Sequence, residues 1–81
     1  MYSVYILFSD SANRYYTGHS QDLSNRLSEH NSGETSSIRF GVPWKLVWSH
    51  SCDTRTEAMM WEAKIKKRGA KRFLDDRSRG A

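Results

Sequence analysis

The stretch RYYTGHSQDLSNRLSEH, residues 14–30, brings phenol, guanidinium and imidazole side chains together in a short span of chain. Arg26 and His30 are four residues apart, so on a helix they lie along one line, beside the apolar stripe of Leu23 and Leu27. A guanidinium in that position offers a planar set of N–H donors that suits a phosphate. A histidine there is also often a packed or hydrogen-bonded residue, and both interpretations of His30 stay open at this point.

A second candidate is Glu62, in the segment TRTEAMMWEAKIKK that covers residues 54–67. On a helix this carboxylate projects from within the apolar stripe of Ala58, Trp61 and Ile65. Because burying an unpaired carboxylate is unfavourable, Glu62 needs a cation beside it, either a basic side chain or a metal ion. A carboxylate at the edge of the stripe that reaches solvent is the remaining alternative.

Two tyrosines, Tyr5 and Tyr16, lie on segments that predict neighbouring strands. YSVYILF, residues 2–8, is apolar on both alternating faces, which is typical of a central strand. RYYTGH, residues 14–19, predicts the returning strand of an antiparallel hairpin. Gly18 is expected to end it, either as a bend or because another group approaches the backbone closely. The tyrosines either share the sheet face that receives a helix or fill a small core.

The remaining signals predict the elements that position these residues. Ser20 is a candidate N-cap, and Thr54 stands three residues before Glu57, the spacing of a capping box. The predicted order is ββαβα, an α+β fold with a small three-stranded, mainly antiparallel sheet flanked by helices. Strands are predicted over residues 2–8, 14–19 and 44–52, helices over 20–33 and 54–67, a loop over 33–43, and an additional C-terminal helix of one or two turns over 70–76.

Length and charge limit the classes of protein that fit. A chain of 81 residues supports one domain, which we expect over residues 1–76 with a short basic tail at 77–81. Thirteen Lys and Arg against nine Asp and Glu give a net charge of +4, with the excess concentrated in KIKKRGAKRF, residues 64–73. This asymmetry favours a polyanionic partner, although such a run is also typical of a solvated helix face.

Cysteine content and hydropathy indicate a cytoplasmic protein with no membrane partner. The single Cys52 cannot form an internal disulfide, and we expect it to exclude a cysteine-based metal cluster. No apolar run approaches the roughly 18 residues of a membrane span, and Met1 leads directly into strand-like sequence rather than a signal peptide.

Together these segments resemble the GIY-YIG nuclease superfamily, more closely its small stand-alone members, similar to the nuclease domain of the DNA-repair excinuclease. The resemblance covers about residues 2–75 and rests on VYI at 4–6, YTG at 16–18, LSNRLSEHNSG, SIRFGVPWKLVW and EAMMWEAKIKK. Each tripeptide is a weak signal alone, but the spacing of both, followed by the arginine and glutamate helices, makes the combination specific.

The resemblance implies metal-assisted hydrolysis of a phosphodiester by an endonuclease of low sequence specificity. It implies catalytic roles for Tyr5, Tyr16, Arg26 and His30, and one divalent cation, Mg²⁺ or Mn²⁺, held by Glu62. We also expect nucleic-acid contacts from Gly18, Arg39, Lys66, Lys67 and Arg68. DNA is favoured over RNA as the partner, and a monomer over an oligomer.

The chain also departs from the family pattern. Val4 stands where the family name has Gly, and Thr17 where it has Ile, while the tyrosines and Gly18 remain. Many members carry an asparagine beyond the glutamate, whereas this sequence has none after Asn31. Two alternatives therefore stand beside the nuclease: a nucleic-acid-binding module with the same fold and no turnover, and an interaction domain whose basic tail docks on a protein.

Overall fold

The hydrophobic N-terminal strand lies at the centre of the sheet. The computed structural model describes residues 1–33 and 36–79, which form one antiparallel sheet in the order β2-β1-β3. The strands are β1 (Tyr2–Ser9), β2 (Arg14–Ser20) and β3 (Lys45–Cys52). Helices cover both faces: α1 (Leu23–Asn31), a 3₁₀ helix (Ser36–Gly41), α2 (Arg55–Arg68) and α3 (Ala70–Arg79). The predicted α+β fold class is confirmed.

The alternation of side chains along β1 divides the core in two. Val4 and Ile6 pack under α2 and α3, whereas Tyr5 and Leu7 face α1 and the 3₁₀ helix. All four side chains are buried, so the prediction of a central strand covered on both faces is confirmed. Because β1 fixes which residue faces which layer, Tyr5 is directed towards α1.

Helix α1 begins later than the sequence predicts. Ser20 is not the N-cap; it is the last residue of β2, and its hydroxyl accepts a hydrogen bond from the backbone N–H of Asp22 at 3.1 Å. Asp22 is the N-cap, since its carboxylate accepts from the N–H of Asn25 at 3.1 Å. A serine hydroxyl that bonds two residues ahead stabilises a turn, which displaces the helix start by two residues.

The loop predicted over residues 33–43 contains the 3₁₀ helix, and residues 34 and 35 lie outside the described part of the chain. Trp44 anchors this segment, because its indole N–H donates to the carbonyl of Ile38 at 2.8 Å. The side chain of Asn31 hydrogen-bonds both the N–H and the carbonyl of Trp44. These contacts hold the end of α1 against the start of β3.

Helix α2 begins where the sequence predicts, and helix α3 extends beyond its predicted end. Thr54 caps α2 by accepting from the N–H of Glu57 at 3.1 Å, as the capping-box spacing predicts. Gly69, at φ +93°, separates α2 from α3, and α3 continues past residue 76. Arg77, predicted in a basic tail, lies over the Phe73 ring at 4.7 Å. Residues 80 and 81 lie outside the described range. None of the described helices is both long and apolar enough to cross a membrane.

Candidate active site

A buried hydrogen bond joins Tyr5 to His30. The Tyr5 hydroxyl oxygen lies 3.1 Å from Nε2 of His30, whose side chain is only 1% exposed. Burial, reinforced by the positive charge of Arg26, lowers the pKa of His30. Burial, with a smaller contribution from Tyr16, raises the pKa of Tyr5. At neutral pH Tyr5 is therefore an un-ionised phenol and His30 a neutral imidazole, and the tautomer of His30 decides which of the two donates in their hydrogen bond.

Tyr16 completes this cluster from the neighbouring strand. It pairs with Leu7 across the β1–β2 ladder, which places it on the same sheet face as Tyr5. Its ring centroid lies 6.4 Å from that of Tyr5 and 5.3 Å from that of His30, to which it is edge-on. The two tyrosines therefore share the face that receives α1, and the His30 ring, which projects from α1, packs against both of them.

Gly18 allows the Tyr5 hydroxyl to lie against the backbone of β2. The two residues are directly paired across the ladder. A Cβ atom at position 18 would lie 2.7 Å from the Tyr5 hydroxyl oxygen and 2.9 Å from its Cζ, closer than packed atoms approach. The strand does not end at Gly18, since β2 continues to Ser20. Of the two roles that the sequence left open for Gly18, close approach is the one that the geometry supports.

The change Gly18→Ala is therefore expected to lower the free energy of unfolding by about 1–3 kcal/mol, the usual range for overpacking a core. Urea unfolding followed by tryptophan fluorescence measures this. Because the nearest atom is the Tyr5 hydroxyl, Tyr5→Phe in the Gly18→Ala background should cost less than Tyr5→Phe alone. Strict additivity of the two changes would contradict a direct clash at this position.

Arg26 lies one turn before His30 on α1 and remains accessible. Its side chain is 47% exposed, and its Nε lies 3.7 Å from the carboxylate of Glu29, an exposed pair that contributes little to stability. Arg26 also lines a groove of about 400 Å³ together with His19 and Arg55. This groove opens where β2, the start of α1 and the start of α2 meet, and it brings three basic side chains to one surface.

Glu62 has two basic partners. Its Oε1 accepts from Nδ1 of His19 at 2.8 Å, and its Oε2 accepts from Nζ of Lys66 at 3.0 Å. Burial acts to raise the pKa of Glu62, but the hydrogen bonds from His19 and Lys66 outweigh it and lower the pKa overall. Of the cations that the sequence left open, basic side chains are present, and the carboxylate is ionised at neutral pH.

The tyrosine cluster and Glu62 lie on opposite faces of the edge strand β2. Gly18 faces Tyr5 on the α1 side, and the next residue, His19, faces Glu62 on the α2 side, because successive residues of a strand alternate. The two groups still interact, since the negative charge of Glu62 contributes to raising the pKa of Tyr5. The candidate site therefore wraps around one edge of the sheet.

Comparison with known proteins identifies the family of this chain. The family model described as the GIY-YIG catalytic domain matches residues 1–74. The chain belongs to the GIY-YIG family. The predicted resemblance is thus confirmed, and the match indicates a nuclease-type function for this GIY-YIG domain.

Its relatives include small proteins named UPF0213. UPF0213 protein VNG_2274C of Halobacterium salinarum is 37% identical over 67 residues, which cover 82% of this chain and 86% of that protein. UPF0213 protein SAG0778 of Streptococcus agalactiae is 37% identical over 54 residues, 65% of this chain and 61% of that protein. The solution structure of UPF0213 protein BH0048 of Bacillus halodurans has a TM-score of 0.58 and 30% identity, covering 96% of this chain and 84% of that one.

The predicted nucleic-acid contacts are distributed over the GIY-YIG domain. Lys66 is held at Glu62, and Lys67 is exposed beside it. Arg39 is on the 3₁₀ helix, where its Nε donates to the carbonyl of Gly33 at 3.0 Å.

Arg68 lies apart from the cluster around Tyr5. Its Nε and a terminal nitrogen donate to the two carboxylate oxygens of Asp76, at 2.8 and 3.0 Å. These hydrogen bonds raise the pKa of Arg68 and hold its guanidinium against α3.

Sequence reasoning missed two residues of the site. His19 follows Gly18, and strand alternation alone could have placed it on the opposite face, but nothing local indicates that Glu62 would be its partner. Arg55 is the first residue of α2, and only the packing of that helix turns it into the groove beside Arg26.

Proposed function

We propose that this chain is a divalent-metal-dependent endonuclease that hydrolyses phosphodiester bonds in DNA with low sequence specificity. The observation that carries the proposal is the buried hydrogen bond between Tyr5 and His30 beside Gly18. It holds a proton donor and a proton acceptor in contact, Tyr5 on the strand of the first signature tripeptide and His30 on α1, beside the second tripeptide on β2. Tyr16 of β2 and Arg26 of α1 lie on the same sheet face as that pair, and Glu62 of α2 lies across the edge strand from it.

Tyr5 needs His30 in order to act as a base at neutral pH. A tyrosine with a pKa of about 10 is a poor base at neutral pH, and burial raises the pKa of Tyr5 further. In the proposed step the Tyr5 oxygen accepts a proton from the attacking water while its own proton passes to Nε2 of His30. The phenol is thus restored, and the imidazole, which burial keeps neutral beforehand, ends as imidazolium.

Arg26 is proposed to stabilise the charge that develops on the phosphate. Its guanidinium is half exposed and its ion pair with Glu29 is a weak, exposed contact, so a phosphate can replace that partner without breaking a buried contact. Arg55 lines the same groove and supplies a second cation on its far side. Preorganised positive charge of this kind is usually a large term in phosphoryl chemistry.

Glu62 fits one Mg²⁺ or Mn²⁺ ion. The carboxylate is ionised and 22% exposed, and each oxygen makes one described hydrogen bond, whereas a carboxylate oxygen has two lone pairs. A single carboxylate suits Mg²⁺, which keeps most of its waters and binds phosphate oxygens. When bound, the ion supplies positive charge for the phosphate, while His19 and Lys66 fix the orientation of the carboxylate.

DNA is proposed as the substrate through contacts to its backbone. The net charge of +4 and the exposed cations Lys66 and Lys67 favour phosphate contacts, which carry no sequence information. The groove beside Arg26, about 400 Å³ in volume, is lined mainly by polar side chains, in keeping with a site that holds a phosphate.

The test is cleavage of a labelled panel of duplex, single-stranded, flapped and branched DNA, with matched RNA strands, in Mg²⁺, in Mn²⁺ and in EDTA. We expect cleavage of DNA that needs the metal and weakens steeply as salt rises. Binding of the whole panel without any cleavage would instead support the non-catalytic binding module. Absence of both binding and cleavage at low salt would support the protein-interaction alternative.

A further inference from the structure

Three metal-binding side chains meet where β3 ends and α2 begins. The ligand atoms of His50, Cys52 and Glu57 all lie within 4.8 Å of one another. Neither the Tyr5–His30 pair nor Glu62 involves these residues. The single Cys52 is expected to exclude a cluster built from several cysteines, but one thiolate can still form a metal site together with a histidine and a carboxylate.

The backbone positions of His50, Cys52 and Glu57 bring these three side chains close to one another. His50 and Cys52 are two residues apart on β3 and pair with Val4 and Tyr2 of β1, so both face α2. Only two residues separate β3 from α2, and Thr54 caps the helix by accepting from the N–H of Glu57. Glu57 is therefore held in the first turn of α2, directly beside the end of the strand.

Aromatic rings fix the orientation of His50. Its imidazole stacks on the ring of Trp48, with centroids 6.1 Å apart and planes 10° from parallel. The ring of Trp61 lies on another side, with its centroid at 4.7 Å. A ligand held in one orientation loses little freedom when it binds a metal, so packing of this kind favours a preformed site.

The three donor atoms favour zinc over magnesium. A thiolate sulfur, an imidazole nitrogen and a carboxylate oxygen suit zinc, whereas Mg²⁺ prefers oxygen ligands alone. The thiolate and the carboxylate carry two negative charges, which balance the charge of Zn²⁺ beside a Cys52 side chain that is 1% exposed. Three protein ligands leave a fourth position for water.

We propose that His50, Cys52 and Glu57 bind one zinc ion that links the end of β3 to the start of α2. On binding, the Cys52 sulfur bonds to the metal and its proton passes to solvent. This site is separate from the one at Glu62, and the proposal holds whether or not the chain is a nuclease. Because α2 also carries Glu62, the zinc ion would stabilise the helix that supports the catalytic carboxylate.

The test uses the full-length chain, stripped of metal by a chelator and dialysed, and then titrated with Co²⁺ and with Zn²⁺. We expect one equivalent of Co²⁺ to give a near-ultraviolet thiolate-to-cobalt charge-transfer band, which one equivalent of Zn²⁺ removes. Thermal unfolding should shift upward with Zn²⁺ concentration, since a ligand that binds only the folded state stabilises it. Absence of the charge-transfer band at saturating Co²⁺ would overturn the proposal.

Three near-isosteric variants identify the ligands. Glu57→Gln changes an exposed residue and keeps the size of its side chain, His50→Phe keeps a ring beside Trp48 and Trp61, and Cys52→Ala removes only the thiol. Each is expected to weaken Zn²⁺ binding by about tenfold or more. The matched control Glu62→Gln, on the same helix, should leave the cobalt spectrum unchanged.

Zn²⁺ affinity that is unaltered by Glu57→Gln and His50→Phe would contradict the assignment, even if Cys52→Ala fails to fold. If Glu62→Gln weakens Zn²⁺ binding and Glu57→Gln does not, the ion is bound at Glu62. That result would also overturn the proposal. Cleavage assays remain a separate measurement, because a failure of nuclease activity leaves these spectra unchanged.

Discussion

The change Glu62→Gln is expected to lower the metal-dependent cleavage rate by about 10²–10³-fold, the range seen when one main electrostatic group is removed from a site. Glutamine keeps the size of the side chain but removes the charge that is proposed to hold the divalent ion. It also places an amide N–H₂ against either His19 or Lys66, both of which donate to the carboxylate. The measurement is the single-turnover rate against Mg²⁺ concentration.

The matched control is Asp75→Asn, which removes one exposed carboxylate from α3 and is expected to leave the rate unchanged. Glu57→Gln should also leave it unchanged under saturating Mg²⁺, because Glu57 belongs to the separate zinc site. Full activity of Glu62→Gln, with the same Mg²⁺ dependence as the parent, would show that the catalytic metal is bound elsewhere.

The elements that local sequence specifies were predictable. The apolar alternation of residues 2–8 predicts a strand buried on both faces, and the structure has β1 at the centre of the sheet. The capping-box spacing at Thr54 predicts the start of α2, because the Thr54 side chain accepts from the N–H of Glu57 within the first turn. Such signals need no knowledge of the rest of the chain.

Helix ends that depend on competing local bonds were less predictable. Ser20 and Asp22 are both good N-cap residues, and the hydroxyl of Ser20 bonds Asp22 instead of capping the helix. Helix α3 is longer than predicted because Arg77 packs on an aromatic cluster from β3, α2 and α3. That contact depends on tertiary packing, which a charge run in the sequence does not indicate.

The partners of the site residues come from distant parts of the chain. Helical spacing places Arg26 and His30 beside an apolar stripe, but the Tyr5 partner of His30 is 25 residues away in sequence. Glu62 and His19 are 43 residues apart, and their contact depends on how α2 crosses the edge strand. Sequence reasoning therefore predicts that Glu62 needs a cation, and only the packed structure identifies it.

The change Tyr5→Phe is expected to lower cleavage by about 10²–10⁴-fold, the range for removing a general acid or base. Phenylalanine keeps the buried ring, so packing is preserved, and the loss of the hydrogen bond to His30 should lower the free energy of unfolding by about 1 kcal/mol. Single-turnover rates at saturating Mg²⁺ measure the first effect. Tyr15→Phe, which removes an exposed phenol from the same hairpin, is the matched control.

The pH profile separates a proton relay from a purely structural role of Tyr5. His30 accepts a proton only when it is neutral, and its pKa lies below the usual value of about 6.5, so the parent should stay active at pH 6.5 and lose activity at lower pH. The fold also loses stability as pH falls below 6.5, because the unfolded state binds the proton more readily, so rates are compared where fluorescence shows a folded protein. In Tyr5→Phe the residual cleavage rate should no longer fall as His30 becomes protonated. An acid limb that is identical in Tyr5→Phe and the parent would mean that His30 does not take its proton from Tyr5.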